Sequence, residues 1–189
     1  MKRSNLILLS VLIVIFFFFL AFQLSVHRYV VKEEREEKEI VINRNVITEK
    51  RSILDFSKIS VKHGIQVFFH QDSVIQLKVE TLENLMPYVK TEVQDGKLVI
   101  EKIERVKQKD TIKVFVSANK LEEINMGTGV HFETIGKVSG KDLKLEFNGD
   151  NTGNLELYYE SVQCKTAPGC NVTLTGDTEE INFTTYHEK

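Results

Sequence analysis

The stretch INMGTGVHF, from Ile124 to Phe132, decides the fold, because its opening triplet returns in three later segments and its glycine turn in two of them. It opens with an apolar–polar–apolar triplet, turns at two glycines, and continues into a second alternating pair. The later segments are LEFNGDNTGNLEL from Leu145, VQCKTAPGCNVTL from Val162 and INFTTY from Ile181. Their starts lie about 20 residues apart, a period typical of stacked coils. The sequence therefore predicts an all-β body built as a β-solenoid.

Stacking predicts which side chains share a row. One inward row is Ile124, Leu145, Val162 and Ile181, and a second is Met126, Phe147, Cys164 and Phe183. Glycines mark corners where the backbone needs positive φ or has no room for a side chain. The predicted structural turns are Gly64, Gly127, Gly129, Gly149, Gly153 and Gly169. A phosphate-binding loop is excluded for GTG, since neither a strand-then-helix context nor a Gly-Lys-Ser/Thr follows.

The chain before the repeats also alternates with a period of two. Its apolar residues mark three half-buried strands, around Ile65 to Phe69, Ile75 to Val79 and Ile112 to Val116. Asp95-Gly96 between apolar flanks predicts a tight hairpin. TLENLMPY, ending at Tyr88, resembles a helical turn that Pro87 stops.

An apolar run near the N-terminus predicts a membrane anchor. LILLSVLIVIFFFFLAF, with its continuation to Val26, reaches the roughly 20 residues needed to cross a bilayer. No A-x-A cleavage site follows it, so residues 1–26 are interpreted as an uncleaved signal anchor, with residues 6–26 in the membrane. A cleaved, soluble form is the alternative. Basic residues after the span outnumber those before it, which opposes export. The short basic N-terminus nevertheless favours an exported body.

A charged segment, residues 27–52, follows the predicted anchor. VKEEREEKE within it suits either a short helical stalk or a disordered linker. Both interpretations hold the body, assigned to residues 53–189, away from the membrane. The net charge of −2 and the dispersed basic residues argue against nucleic-acid binding.

At this point the sequence resembles a bacterial family. FSKISVKHGIQVFF (Phe56–Phe69), NLMPYVKTEVQDGKLVI (Asn84–Ile100) and the glycine-cornered repeats are similar to the putative auto-transporter adhesin family, known as the head GIN domain. Gly64-Ile65-Gln66 stands where the family has Gly-Ile-Asn, and the resemblance runs from about Leu54 to the C-terminus.

The resemblance implies a two-sheet β-superhelix of pectin-lyase-like shape, with cell adhesion as a role inferred by fold analogy. No shared catalytic set comes with it. The repeats depart from the family's paired small turn in NGDNTG and TAPGC, and the last repeat has no glycine, which suits a cap.

Cys164 and Cys170 are the two cysteines, and an exported location favours a disulfide between them across the turn that contains Gly169. The alternative is a pair of free thiols. Their spacing does not match the C-x-x-C of thioredoxin-type redox sites.

Metal and cofactor sites are not expected. The histidines are far apart in the sequence: His27, His63, His70, His131 and His187. Asp150, Asn151 and Asn154 offer oxygens for Ca²⁺, but no bidentate Glu follows at loop spacing, so a plain Asx-rich turn is favoured.

Paired carboxylates for glycoside cleavage are equally unsupported. Glu133, Glu146 and Glu156 fall at outward strand positions, where acidic side chains are usually solvated. Of the adjacent Tyr158 and Tyr159, one must face outward, which offers a contact for a sugar or protein.

These observations favour a non-enzymatic, membrane-anchored binding module of the bacterial envelope, with its body in the periplasm or outside the cell. Its partner would be a surface protein or a carbohydrate. Two alternatives stay open: a carbohydrate-active enzyme on a pectin-lyase-like fold, and an envelope structural or regulatory protein.

Overall fold

The computed structural model of the chain describes residues 15–19, 22–23, 45–102 and 112–185. The chain forms two units, Met1–Ile40 and Val41–Lys189. Residues 15–19 and 22–23 of the first unit are helical. Within the residues described, no helix has both the length and the apolar character needed to cross a membrane. Most of the predicted span 6–26, and His27 and His187, lie outside the described residues.

The second unit is all-β, as predicted. Its strands are β1 (Val46–Arg51), β2 (Lys58–Lys62), β3 (Gln66–Gln71), β4 (Gln76–Leu82), β5 (Val89–Gln94), β6 (Lys97–Lys102), β7 (Lys113–Ala118), β8 (Glu123–Met126), β9 (His131–Thr134), β10 (Val138–Phe147), β11 (Thr152–Thr166) and β12 (Asn171–Thr185). A 3₁₀ turn, Met86–Tyr88, forms at the end of TLENLMPY, where a helical turn was predicted. Pro87 lies within this turn and does not end it, and Thr81 and Leu82 belong to β4.

All these strands belong to one sheet. Its order is β1-β4-β7-β3-β9-β11-β10-β8-β2-β6-β5, and β12 pairs with β11. Strand β11 is long enough to pair with β9 through its first residues and with β10 through the rest. The repeat region is therefore parallel throughout.

The parallel registers follow the sequence repeat. Ile124 lies opposite Leu145, Leu145 opposite Cys164, and Val162 opposite Ile181, so paired residues are 21, 19 and 19 positions apart. The inward apolar side chains of β8, β10 and β11 in these rows are buried, whereas those of β12 are exposed. Many outward positions are polar and carry ion pairs such as Lys97–Glu123 at 2.7 Å.

One step of the predicted inward rows is wrong by two residues. Val162 was expected beside Leu145 and Cys164 beside Phe147, whereas Val162 pairs with Leu143 and Phe147 with Thr166. A slip of two residues keeps every inward side chain on the inward face, so alternation alone does not detect it. The inward orientation of these residues was predicted correctly; their neighbours were not.

The hairpin at Asp95-Gly96 is confirmed. Strands β5 and β6 pair antiparallel across it, and both turn residues have positive φ, 50° and 71°. These are the signs required by a two-residue type I′ turn.

The sheet begins at β1, before residue 53, where the body was predicted to start. Strand β1 lies inside the 27–52 segment assigned to the stalk, and it pairs antiparallel with β4 from Val46↔Leu82 to Arg51↔Leu77. Arg51 also connects β1 to β5, because its guanidinium donates to the carbonyl of Val89 at 2.8 Å.

The two ends of the parallel stack differ. At the end formed by β6 and β7, antiparallel neighbours β5 and β4 cover the open edges. At the other end, β12 pairs with β11 and with no other strand in the described part of the chain. The last repeat, INFTTY, is thus the outermost strand, and it leaves Ile181 and Phe183 exposed at 44% and 65%.

Candidate binding surface

An aromatic pair faces outward from the sheet where β3 and β7 lie side by side. Phe68 sits between the inward Val67 and Phe69, and Phe115 sits between the inward Val114 and Val116. The parallel register places Phe68 opposite Phe115. Their rings stack with centroids 5.1 Å apart and planes at 16°, and both side chains are half-buried. Aromatic stacking holds the two rings in a fixed orientation.

Ile135 extends this apolar surface beyond the end of β9. It is 47% exposed, and it lines a shallow cavity of about 170 Å³ together with Phe68 and Phe115. We call these three residues the aromatic patch. His70 Nδ1 lies 2.9 Å from the carbonyl oxygen of Ile135, which fixes the loop carrying that side chain.

Polar groups surround the aromatic patch. His70, Asp72, Gln76 and Lys78 line the same cavity. Hydrogen bonds from the Val74 amide and the Ser73 hydroxyl lower the pKa of Asp72, the former being the larger cause. The patch is therefore an apolar centre with charged and amide groups at its rim, an arrangement found in protein-binding surfaces.

A larger cleft lies elsewhere, beside the loop that follows β7. Its volume is about 640 Å³, within the range of ligand pockets. Its lining combines three lysines, two carboxylates and neutral groups: Lys120, Leu121, Glu122, Gly140, Lys141, Asp142, Leu143, Lys144, Ser161 and Gln163.

Glu122 of this cleft does not suit the role of general acid in glycoside cleavage. Hydrogen bonds from Ser57 (2.6 Å) and Lys120 (3.0 Å) lower the pKa of Glu122. A general acid at neutral pH needs the opposite shift. Among the described residues, each carboxyl whose pKa departs from its ordinary value is shifted downward: Asp72, Glu101, Glu122 and Glu123.

The two cysteines lie near one end of the stack as free thiols. Cys164 is buried in β11, and burial, with a smaller contribution from Cys170, raises the pKa of its thiol to about 11. Cys170 is half-buried, and its thiol donates to the carbonyl of Gly149 at 2.8 Å. Neither thiol is therefore poised as a nucleophile, and the disulfide stays a prediction.

The predicted glycine corners divide into two kinds. Gly64, Gly129, Gly149 and Gly169 have positive φ in turns, whereas Gly127 and Gly153 do not. Gly153 lies inside β11, and a Cβ there would collide with the carbonyl oxygen of Phe132. Close approach of two strands, rather than a turn, requires this glycine.

The other sequence candidates have structural partners. Asn151 is buried, and its side-chain oxygen accepts from the amide of Val130 at 3.0 Å, so it braces the turn. His131 points outward, with Nδ1 3.0 Å from the Thr152 hydroxyl. Glu133, Glu146 and Glu156 occupy half-buried outward positions on three strands. Asp150 is exposed, and so is Asn154.

The adjacent tyrosines face opposite sides, as predicted. Tyr159 is buried, and its hydroxyl donates to the carbonyl of Leu121 at 2.8 Å. Tyr158 is half-buried on the outer side, where the ammonium group of Lys137 lies 4.7 Å from its ring centroid.

Sequence reasoning missed Phe68 and Phe115. Each stands at a polar position of an alternating strand, in VFFH and KVFVS, and that misplacement was the available signal. Their contact was not predictable, because the two residues are far apart in the chain and alternation does not identify strand neighbours.

Comparison with solved structures finds proteins with a similar fold. The chain is similar to a putative adhesin from Bacteroides fragilis NCTC 9343, with a TM-score of 0.68, 16% identity, and coverage of 74% of this chain and 66% of that one. The chain thus spans just under two thirds of that protein. A putative adhesin from Parabacteroides merdae ATCC 43184 has a TM-score of 0.54 and 19% identity, with 76% and 78% covered.

A third similar structure is a putative lipid binding protein from Parabacteroides distasonis ATCC 8503, with a TM-score of 0.52, 20% identity, and 76% and 73% covered. At these identities the likeness concerns the fold alone. Comparison with curated proteins finds no match. A family model described as putative auto-transporter adhesin, head GIN domain, matches residues 55–188. That match takes in the whole sheet from β2 to β12, and the chain therefore belongs to the head GIN domain family of putative auto-transporter adhesins.

Proposed function

We propose that this protein is a membrane-anchored, extracytoplasmic β-solenoid that binds a surface partner as a non-enzymatic, adhesin-like module. Membership of an adhesin-like family supports the role. Parallel registers 19 to 21 residues apart support the coiled architecture. The apolar run over residues 6–26 supports the anchor, and the charged segment before β1 would hold the body away from the membrane.

The observation that carries the binding proposal is the aromatic patch. Most outward positions of this part of the sheet are polar, such as Gln66, Lys113 and Glu133. Phe68 and Phe115 stand at outward positions, away from the apolar core, so packing of the core does not explain why these residues are aromatic. Contiguous apolar groups with a polar rim mark interaction sites more often than isolated exposed residues do.

Whole-cell adhesion tests the proposed binding surface. Cells that display the full chain would be compared with cells carrying the double variant Phe115→Ser, Ile135→Ser, on surfaces coated with protein or with polysaccharide. We expect the variant to lose most of its adhesion to one of the two coatings while keeping wild-type surface levels. Glu133→Gln on the same face is the matched control and should adhere normally. Equal adhesion of all three proteins would refute the role of the patch.

Protease treatment of intact cells or spheroplasts tests the proposed topology. Digestion of the body, together with a Cys164–Cys170 disulfide, would support export into an oxidising compartment. Protection together with two free thiols would place the body in the cytoplasm and overturn the adhesin-like role. This readout does not depend on the aromatic patch, so the two parts of the proposal fail separately.

A further inference from the structure

The edge of β12 is long, open and partly apolar. It spans 15 residues, and in the described part of the chain its outer side pairs with no strand. Soluble proteins usually protect such an edge with lysine, proline or a very short strand. β12 contains no lysine, arginine or proline, and its charged residues, Asp177, Glu179 and Glu180, all precede residue 181, so residues 181–185 carry no charge. The backbone donors and acceptors of this uncharged end are suited to pairing with another strand.

The end of the apolar core is uncovered along the same edge. Inward residues of β11 are buried, including Val162 and Cys164. Their neighbours in β12, Ile181 and Phe183, stand in the same inward row and stay largely exposed. A partner strand at this edge would therefore gain both a backbone ladder and an apolar contact.

The sequence of the edge identifies the partner as a second copy. When two strands pair antiparallel, inward residues lie opposite inward residues only in every second register, because side chains alternate between the two faces of the sheet. The register centred on Asn182 sets Ile181 of each copy opposite Phe183 of the other, so apolar side chains meet apolar side chains in both directions. It also sets Glu180 opposite Thr184 and Glu179 opposite Thr185.

Apolar matching and charge together separate this register from its competitors. A centre at Ile181 would set Phe183 opposite Glu179, and a centre at Phe183 would set Ile181 opposite Thr185. A pairing centred on Glu179 or Glu180 would put that carboxylate directly opposite its own copy, and like charges across a ladder are destabilising. The centre at Asn182 avoids this contact. Among the described residues this register pairs 179–185 of one copy with 179–185 of the other about a two-fold axis, so the same segment of both copies is used in one isologous contact.

We propose that the protein forms a two-fold symmetric dimer in which β12 pairs antiparallel with β12 of a second copy, centred on Asn182. The interface is distinct from the aromatic patch on β3, β7 and β9. It continues the sheet from one copy into the other and covers the exposed Ile181 and Phe183.

Cysteine cross-linking of the full chain in cells tests the axis. At the centre of an antiparallel pair the two α-carbons lie about 4.5 to 5.5 Å apart, within the reach of a disulfide. With a mild oxidant, Asn182→Cys should give a band of twice the mass that disappears on reduction. Gln163→Cys is the matched control, because it lies opposite Asn182 on β11 and is also exposed. Its two copies would be about three strand spacings apart, roughly 14 Å, and should not cross-link.

A second variant tests the apolar contact. Phe183→Ser, combined with Asn182→Cys, should lower the yield of cross-linked dimer by about tenfold or more, since two exposed phenylalanines leave the interface. Equal cross-linking at positions 182 and 163 would overturn the proposal. A cross-link from position 182 to a different protein, or dimers that appear only after residues 186–189 are deleted, would also overturn it and show another occupant of the edge.

Discussion

Tyr159 joins strand β11 to the loop before β8 through one hydrogen bond. Its ring is buried, with Gly140 packed so closely that a Cβ at that glycine would lie within 2.5 Å of the ring. Burial raises the pKa of the phenol well above its ordinary value of 10.0, with a smaller contribution from Glu122. The folded protein therefore keeps the phenolic proton at a pH where the unfolded chain has released it.

Tyr159→Phe should destabilise the protein by about 1–2 kcal/mol at pH 7, because the buried carbonyl of Leu121 loses its partner. Tyr158→Phe is the control and should change stability by less than about 0.5 kcal/mol, since its half-buried hydroxyl makes only a 3.3 Å contact with Glu156. Denaturant unfolding measures both values. Equal effects of the two variants would contradict the assigned hydrogen bond.

The same comparison has a pH dependence of known sign. The stabilising contribution of the Tyr159 proton is fully present below the ordinary pKa of 10.0 and is lost as pH rises above it. Wild-type stability should fall more steeply than that of Tyr159→Phe between pH 9 and about 11. Parallel curves would show that this phenol does not titrate with unfolding.

Phe147 tests the inward orientation of the apolar rows. Phe147→Asp should unfold the body, because an unpaired carboxylate would enter a fully buried position between Met126 and Thr166. Gln163→Asp, at an exposed outward position of β11, should melt close to wild type. Circular dichroism on heating separates the two outcomes, and a folded Phe147→Asp protein would show that this row does not face the core.

At the scale of elements, β11 is the strand on which the repeat region is organised. It pairs with β9, β10 and β12 and carries a glycine near its first residue. Gly153 allows β11 to approach the backbone of Phe132 in β9, and Gly176 of β12 approaches the backbone of Leu157 in the same way. Each strand of this region thus fits closely against the one before it.

Gly153→Ala should destabilise the protein by about 1–3 kcal/mol, because the added methyl group overlaps the carbonyl of Phe132 and forces the strands apart. The neighbouring Asn154→Ala, at an exposed position, is the control and should be nearly neutral. Thermal unfolding compares the two. A neutral Gly153→Ala would mean that β9 and β11 separate at little cost.

Much of this element structure was predictable from local chemistry. Alternation identified the inward residues around Phe132, and Asp95-Gly96 identified the hairpin, because both signals depend on a few adjacent residues. The neighbour of Phe147 was not predictable, since strands related by a two-residue slip bury the same face. Strand β1 was not predicted for a related reason. Its sequence, VITEKR, is mostly polar, and it belongs to the sheet because it pairs with β4, which is distant in the chain.

At the scale of the whole molecule, the body has one covered end and one open end. Antiparallel strands cover β6 and β7, whereas β12 leaves apolar side chains in contact with solvent. Sequence analysis located neither proposed interaction surface, although Phe68 and Phe115 stand at polar positions of their strands and the last repeat lacks glycine. The aromatic patch depends on strands β3 and β7 becoming neighbours, and the open edge depends on the order of the strands in the sheet.

A proposed dimer through β12 would present two aromatic patches in fixed relation. Two linked sites bind a surface carrying many copies of a partner more tightly than one site does, without any new contact. Adhesion measured with Phe183→Ser should therefore weaken even though the patch is unchanged. That result would connect the edge to the adhesin-like role, and unchanged adhesion would separate them.

The constant register from β10 to β12 has a consequence for how such proteins change in length. Since residues on successive strands correspond at a separation of 19 positions, inserting or removing one such segment joins equivalent points of the backbone. The inward rows then lose or gain one member each, while the covered end keeps its contacts. The repeat region can therefore be lengthened or shortened by whole 19-residue segments without a change in the strands that cover β6 and β7.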